Sequence, residues 1–325
     1  MRKMLSLAAA SATILAASIL VGPVQAQTWP AKTVRIVVPF AAGGTSDNLG
    51  RIAAQKLSET FKQAFVVENR GGASGSIGSE MVAKAAADGY TLVVSGVASH
   101  VVVTALSRVP YDPVKDFTHI ALFGGPPSVF AVHPSVPARD LKEFVAIAKA
   151  SPGKYAYGSP GNGSHGHLVG EVFKQLAGID MTHIPYKGGG PAVGDLIAGH
   201  VPAISTTLSS AATQIRAGKA RGLAISSAAR LPDHPEIPTF REMGYPELVA
   251  TIWFGLSGPA GLPQDIVQRL NVEVRRVLQQ PDVRERLRPE GIEPGDLDPQ
   301  QYAAFIAAEL KRWVPVLRKT GATAD

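Results

Sequence analysis

The chain has 325 residues, 45% of them hydrophobic and 18% charged, with a formal charge of +6 and no cysteine. Such a composition forms a core, and the missing cysteine excludes disulfides, a thiol nucleophile, thiolate-bound zinc and a lipid anchor carried on cysteine. The basic residues are spread without a dense Lys/Arg block, which argues against a nucleic-acid partner.

Residues 1–26 read as an export signal. Arg2 and Lys3 supply the charged start, Leu5 to Leu20 form a short apolar run, and Val24-Gln25-Ala26 offers small residues for cleavage after Ala26. The run is shorter and richer in Ala and Ser than the roughly 20 apolar residues of a spanning helix, and no later run is apolar enough to cross a bilayer. Removing 26 of the 325 residues leaves 299, and losing Arg2 and Lys3 lowers the charge from +6 to +4. The expected product is a periplasmic protein without membrane insertion, whose mild positive field suits an anionic partner.

Beyond the signal, "VRIVVPF" is a β-branched strand, "AAGGTSD" a Gly-rich turn and "NLGRIAAQKLSETF" a helix. "AFVVENR" leads as a second strand into "GGASGSIGSEMVAKAAADG", an Ala-rich helix ending at Gly89, and "TLVVSG" is a third strand. This alternation predicts an α/β fold of mostly parallel sheets, since parallel neighbours need a crossover that is normally a helix. Gly124-Gly125-Pro126-Pro127 breaks the rhythm as a stiff junction where the chain leaves one lobe for another. The pattern then restarts with "ARDLKEFVAIAKAS", "KYAYGS", "HLVGEVFKQLAG", "MTHIPY", "GPAVGDLIAGH", "VPAISTT" and "ARGLAISS". A second crossing is expected near Glu247 to Thr251. The return strand "TIWFGLSGPAG" and the C-terminal helices are expected to pack on the first lobe, giving lobe 1 as 27–125 with 250–325 and lobe 2 as 126–249. Two connecting strands form a natural hinge.

Three strand-to-helix loops share a composition: Pro39 to Asp47, Gly158 to His167 and Pro185 to Ala192. Open α/β sheets bind ligands beyond the carboxyl ends of their strands, and glycines let backbone N–H groups approach an anion at a helix N-terminus. Thr45, Ser46, Asn162 and Ser164 add hydroxyl and amide groups, Asp47 stands at a helix start where it can cap or reach a cleft, and Tyr186 and Lys187 precede three glycines.

Other motifs carry less. Gly161 to Gly166 spells GxGxxG, but the acidic residue expected about 20 positions on is missing from "MTHIPYKGGG". No GxSxG is present, and Ser151-Pro152-Gly153-Lys154 ends a helix where an SxxK nucleophile should begin one. His165, His167 and His183 lack the further ligands of a metal site, so no metal and no cofactor is expected. Trp29, Trp253 and Trp313 are explained by packing.

Taken together, "WPAKTVRIVVPFAAGGTSD", "VVENRGGASGSIGSEMVAKAAADGYTLVV", "YGSPGNGSHGHLVGEVF", "HIPYKGGGPAVGDLIAGHV" and "LPDHPEIPTFREMGYP" closely resemble the Bug family, the periplasmic receptors of tripartite tricarboxylate transporters. The resemblance implies the type II periplasmic binding-protein fold and a carboxylated ligand enclosed between two lobes, partly through water. It places the grip on the loop of Phe40, Ala41, Gly43, Gly44, Thr45, Ser46 and Asp47 and on that of Ser159, Gly161, Asn162, Gly163 and Ser164. It adds Ser99 and His100, then Tyr186, Lys187 and Gly188, then Thr206 to Ser209. The first loop departs from many relatives, which have Pro at the second alanine and Thr directly before Asp.

The expectation is a monomeric solute receptor that is not an enzyme. It holds a small carboxylate on the backbone donors of Gly43 to Ser46 and Gly161 to Ser164, and serves membrane transporter subunits or a sensor. The alternative is an exported α/β hydrolase-like enzyme, with Ser164 as nucleophile and His165 or His100 as base.

Overall fold

The computed structural model describes residues 29–250 and 252–319. The expected signal, its cleavage point and Thr251 of the second crossing lie outside them. Among the described residues no helix is long and apolar enough to cross a membrane.

The first strand, β1 (Val34–Val38), buries every side chain except Arg35. Helix α1 (Thr45–Phe61) lays Leu49, Ile52, Ala53 and Leu57 against the sheet and stops where Lys62 turns left-handed, its N–H bonding the Ser58 carbonyl. β2 (Phe65–Asn69), α2 (Ser76–Ala83) and the wholly buried β3 (Thr91–Gly96) complete two crossover units, and β1 pairs in parallel with both strands. A π-helical turn, Ala98–Val102, and α3 (Val103–Leu106) follow. β4 (Phe117–Gly125) then ends at the glycine pair.

The second sheet is built next. β5 (Ser128–Val132) and α4 (Leu141–Ala150) precede β6 (Tyr155–Ser159), α5 (His165–Ala177), β7 (Met181–Pro185) and α6 (Gly189–Ile197). β8 (Ala203–Thr207), α7 (Leu208–Arg216) and β9 (Arg221–Ile225) close it in the order β7-β6-β8-β5-β9. The chain returns as β10 (Phe254–Pro259), followed by α8 (Gln264–Leu278), α9 (Pro281–Leu287), β11 (Glu293–Pro294) and α10 (Pro299–Lys319). The first sheet therefore runs β11-β4-β10-β3-β1-β2.

Register fixes how the two sheets meet. Phe254 lies opposite both Gly96 and Gly124, so β4 ends at the same edge as the carboxyl ends of β1 to β3. Ser128 lies opposite Thr207, so β5 starts at the edge where β6, β7 and β8 end. The short Gly125 to Ser128 connection thus joins the ligand-side edges of both sheets. Gly125 must be glycine there, because a Cβ would sit 1.9 Å from the Ile252 carbonyl oxygen of the returning chain.

The two crossings are joined by the Ile252 N–H, which donates to Pro126 O at 3.2 Å, and the second is tied to the end of β9 by the Ala250 N–H, which donates to Ser226 O at 2.9 Å. Helix α8 packs its buried Val274, Val277 and Leu278 into the first sheet's core. The last helix reaches further. Its buried Trp313 and Leu317 join a core shared with Leu248 and Ala250, and Arg312 donates to the carbonyls of Glu247 and Val249 at 2.6 and 2.9 Å.

Candidate ligand-binding cleft

Six connections converge on the facing edges, three per sheet. The β1–α1 loop leaves Ala41, Gly43 and Gly44 exposed, with Phe40 and Thr45 half-buried and Ser46 and Asp47 buried. Asp47 does not reach a cleft. Its Oδ2 accepts the Gly43 N–H and Arg51 Nε, both at 2.9 Å, and its Oδ1 accepts Asn69 Nδ2 at 2.9 Å. Burial works against its charge, but the bonds from Arg51, Gly43 and Asn69 outweigh burial and hold the carboxyl below the usual value. The carboxylate is the loop's internal brace.

The same bond removes Gly43 from the expected set of ligand donors. What remains is the first turn of α1, whose N–H groups have no intrahelical partner and whose cap, Gly44, supplies no side-chain acceptor. The free donors of this loop are those of Gly44, Thr45 and Ser46, and the helix dipole favours an anion on them.

Beside this loop the chain from Gly71 to Gly75 folds tightly, with Ala73 and Ser74 both at left-handed φ of 44° and 54°. Non-glycine residues held so at a sheet's ligand edge mark a constrained functional loop. The glycine density of "GGASG" was its sole sequence signal, and the sequence reading assigned it no role. Phe40, Gly75 and Ser99 meet here, since a Cβ on Gly75 would lie 2.9 Å from Phe40 Cζ and 3.0 Å from Ser99 Cβ.

Ser99 and His100, expected as cleft positions, sit fully buried in the π-turn. Ser99 Oγ pairs with His100 Nδ1 at 3.0 Å, and the His100 ring packs on Phe117, 4.7 Å between centroids. Burial, with His119 adding to it, holds His100 neutral.

In the second lobe the β6–α5 loop is built on neutral hydrogen bonds. Ser159 Oγ bonds His183 Nε2 at 2.7 Å and accepts the Gly161 N–H at 3.2 Å. His167 Nδ1 accepts the Gly163 N–H at 3.2 Å while its ring stacks on His183 at 4.0 Å. Ser164 caps α5 by accepting the His167 N–H, and its own N–H goes to Gly161 O at 3.1 Å. The N–H groups of Gly161, Gly163 and Ser164 therefore turn inward. The donors this loop leaves open are the first helical ones, those of His165 and Gly166, with the half-buried Asn162 and Ser164 side chains beside them.

Burial, followed by the neighbouring His167, drives His183 down to about 4, and burial likewise lowers His167. His165 turns away from both, its Nδ1 2.7 Å from Ser128 Oγ. The histidine trio thus diverges. Ser164 and His165, paired in the hydrolase alternative, each engage another partner.

The β7–α6 loop is tied to its neighbour by Tyr186 N to Ser159 O at 3.0 Å and Gly188 N to Pro160 O at 2.9 Å. Tyr186 packs its ring on Gly158 and donates its hydroxyl to Asp195 at 2.7 Å, while Lys187 is exposed. Gly188 caps α6 without a side-chain acceptor, leaving the Gly189 and Gly190 N–H groups for a ligand. Close to Gly189 stands the fully buried Thr206, whose Oγ1 finds no hydrogen-bond partner among the described residues, and on the other face of β8, where its carbonyl meets Gly166, the fully buried Ser205 Oγ finds none either. A Cβ on Gly189 would lie 3.0 Å from Thr206 Oγ1 and 2.5 Å from Ser210 Oγ. Ser209 instead bonds Thr207 at 3.1 Å. Thr207 stands at the N-cap of α7, but its hydroxyl bonds Ser209 and Ser210 and caps no backbone N–H. Gly189 belongs to the Gly-rich loop of Pro185 to Ala192, but nothing in the sequence singles out Ser205 or Ser210, since an alternating strand end gives no hint of which hydroxyl stays unpaired.

The lobes touch at both flanks. Gly163 packs on Val102 and Leu106 of the first lobe, and Arg288 grips Asp233 of the second through Nε at 2.9 and 2.8 Å. Among the described residues no group of three or more His, Asp or Glu is arranged to hold a metal ion.

The model of the tripartite tricarboxylate transporter family receptor matches residues 49–322. The chain belongs to that receptor family. Receptors of this family are periplasmic solute-binding proteins, and the match begins two residues past Asp47. Protein BugT of Bordetella pertussis is 38% identical over 302 residues, covering 92% of this chain and 93% of that one. An R. palustris protein in a structure with adipate is 36% identical with a TM-score of 0.81, covering 91% and 99% of the two chains. MatC from Rhodopseudomonas palustris, with bound malate, is 34% identical with a TM-score of 0.77, covering 89% and 100%. The receptor thus has the two-lobed type II periplasmic binding-protein fold.

Proposed function

We propose that this receptor reversibly captures a small carboxylate, of the dicarboxylate class represented by adipate and malate, and presents it to a tripartite tricarboxylate-type transporter or a sensor. One observation carries the reading: helix N-termini without a side-chain cap from both lobes, α1 on one side and α6 on the other, stand at the facing sheet edges, with the Thr206 hydroxyl, unpaired among the described residues, beside α6. Backbone donors and hydroxyls can hold a carboxylate without a cationic side chain. Arg51, the cation nearest the first loop, is already spent on Asp47.

In this reading lobe 1 (27–125 and 250–325) and lobe 2 (126–249) close about the crossings, and the closed form is what the membrane partner recognises. The mature chain works in the periplasm after cleavage behind Ala26. The relatives with adipate and malate support the ligand class.

A thermal melt with adipate, malate and related acids tests this. Ligand at a hundred times Kd stabilises by about 2.7 kcal/mol, and the acid should be recovered unchanged. No shift with any acid of the panel, or turnover of one that binds, contradicts the receptor reading.

A further inference from the structure

The first residue of α5 carries a side chain that the grip does not use. His165 is 5% exposed, and its Nδ1 pairs with the hydroxyl of Ser128, a fully buried residue that opens β5 immediately behind the first crossing. Ser128 in turn donates its N–H to Ser226 Oγ at 2.8 Å, and Ser226 Oγ donates to the Ala250 carbonyl on the second crossing. The backbone repeats the path, with Ser226 N bonding Ser128 O and Ala250 N bonding Ser226 O, both at 2.9 Å. An unbroken chain of buried hydrogen bonds therefore runs from the β6–α5 loop through one crossing to the other.

Other cleft elements end on the same hub. The Leu208 N–H at the start of α7 donates to Pro127 O at 2.9 Å, and the Val97 N–H, beside the π-turn, donates to Trp253 O at 3.2 Å. Those two links are backbone to backbone and independent of side chains. The link from α5 depends on His165 alone.

We propose that His165 is a positioning residue that locks the first turn of α5, and with it the His165 and Gly166 N–H donors, to both crossings, so that loop order and hinge geometry change together. This rests on the receptor reading for its consequence in ligand binding, but the wiring itself stands on geometry. The imidazole works as a neutral hydrogen-bonding group, since burial, aided by the Arg312 charge, pushes it down to about 3. An amide of similar reach should therefore replace it. A phenyl ring fills the space but strands the fully buried Ser128 hydroxyl, and an unmade bond there is costly.

The test uses the full mature chain, with amide exchange as readout and adipate and malate as probes. In the ligand-free protein His165→Phe should speed exchange about tenfold at residues 161–166 and also at 250 and 252–254, with His165→Asn within about twofold of wild type. Ser128→Ala should reproduce the Phe variant, and the double substitution should add nothing, which keeps the test open even if His165→Phe folds poorly. With a probe that binds wild type, the Phe variant should need about tenfold more of it and the Asn variant should not. Crossing amides that stay at wild-type rates in both single variants, effects that add in the double, or an Asn variant as impaired as Phe would each overturn the proposal. If wild type binds neither probe, the dicarboxylate reading fails while the ligand-free exchange still decides the wiring.

Discussion

The two loops that face each other across the cleft are held by opposite kinds of chemistry. In the first lobe an ionised carboxylate, Asp47, gathers the Gly43 N–H, Arg51 and Asn69 around an exposed loop. In the second, buried neutral imidazoles and hydroxyls do the same work: Ser159 on His183, His167 on Gly163 and His165 on Ser128. A charge-braced loop is rigid while its acid stays ionised. A neutral network is rigid while its histidines stay unprotonated. The two halves of one grip should therefore fail under different conditions.

The harshest way to break the second half is Gly166→Ala. A Cβ there would lie 2.2 Å from Ser205 O and 2.9 Å from Pro160 Cδ, so α5 must back away from β8. A loss of about 3 kcal/mol in a urea melt, together with lost adipate binding, is expected. Unchanged stability would mean that the close helix–strand approach is not required.

Asp47→Ala attacks the first half. It strands three donors at once and should cost about 1–3 kcal/mol in the same melt, with weaker binding of the probe acid. If it melts like wild type, the carboxylate is not the brace.

Acid separates the loops more gently. His183 is depressed from 6.5 to about 4, so its contribution is complete above pH 6.5 and is lost as pH falls from there toward 4. Asp47 is depressed below 3.8, so its contribution persists down to that pH and is lost beneath it. Between pH 7 and 5 the second loop should weaken while the first holds. His183→Gln should flatten the slope of stability against pH in that window by up to about 2 kcal/mol, and an unaltered slope would refute the assignment. The mildest change is Lys187→Ala, at an exposed residue, for which stability and carboxylate affinity should stay within about 0.5 kcal/mol of wild type by calorimetry. A large loss there would move the grip from backbone donors to a side-chain cation.

Much of this frame is written in local pattern. "VRIVV" can hardly be other than a buried strand, and the restart of strand and helix after Gly124-Gly125 marks the passage to a second sheet. The Gly-rich turns likewise lie where strands end and helices begin. What the chain does not display locally is where each polar group spends its hydrogen bond. Asp47 reads as a helix-start acid, yet one of its donors, Asn69, comes from the next strand, 22 residues on. His165 and Ser128 are 37 residues apart, on different elements of the second lobe. Ser99 and His100 looked like loop residues, but the π-turn rolls them into the core. The inward N–H groups at 161, 163 and 164 depend on His167 and Ser159 geometry that spacing alone cannot give.

The most direct check is a backbone amide chemical-shift titration of the mature chain with malate or adipate. Gly44, Thr45 and Ser46 of the first lobe should move together with His165, Gly166, Gly189 and Gly190 of the second, along one binding curve, while Lys187 and residues remote from the cleft stay still. Shifts confined to one lobe, or centred away from these helix N-termini, would contradict a carboxylate held between the two loops.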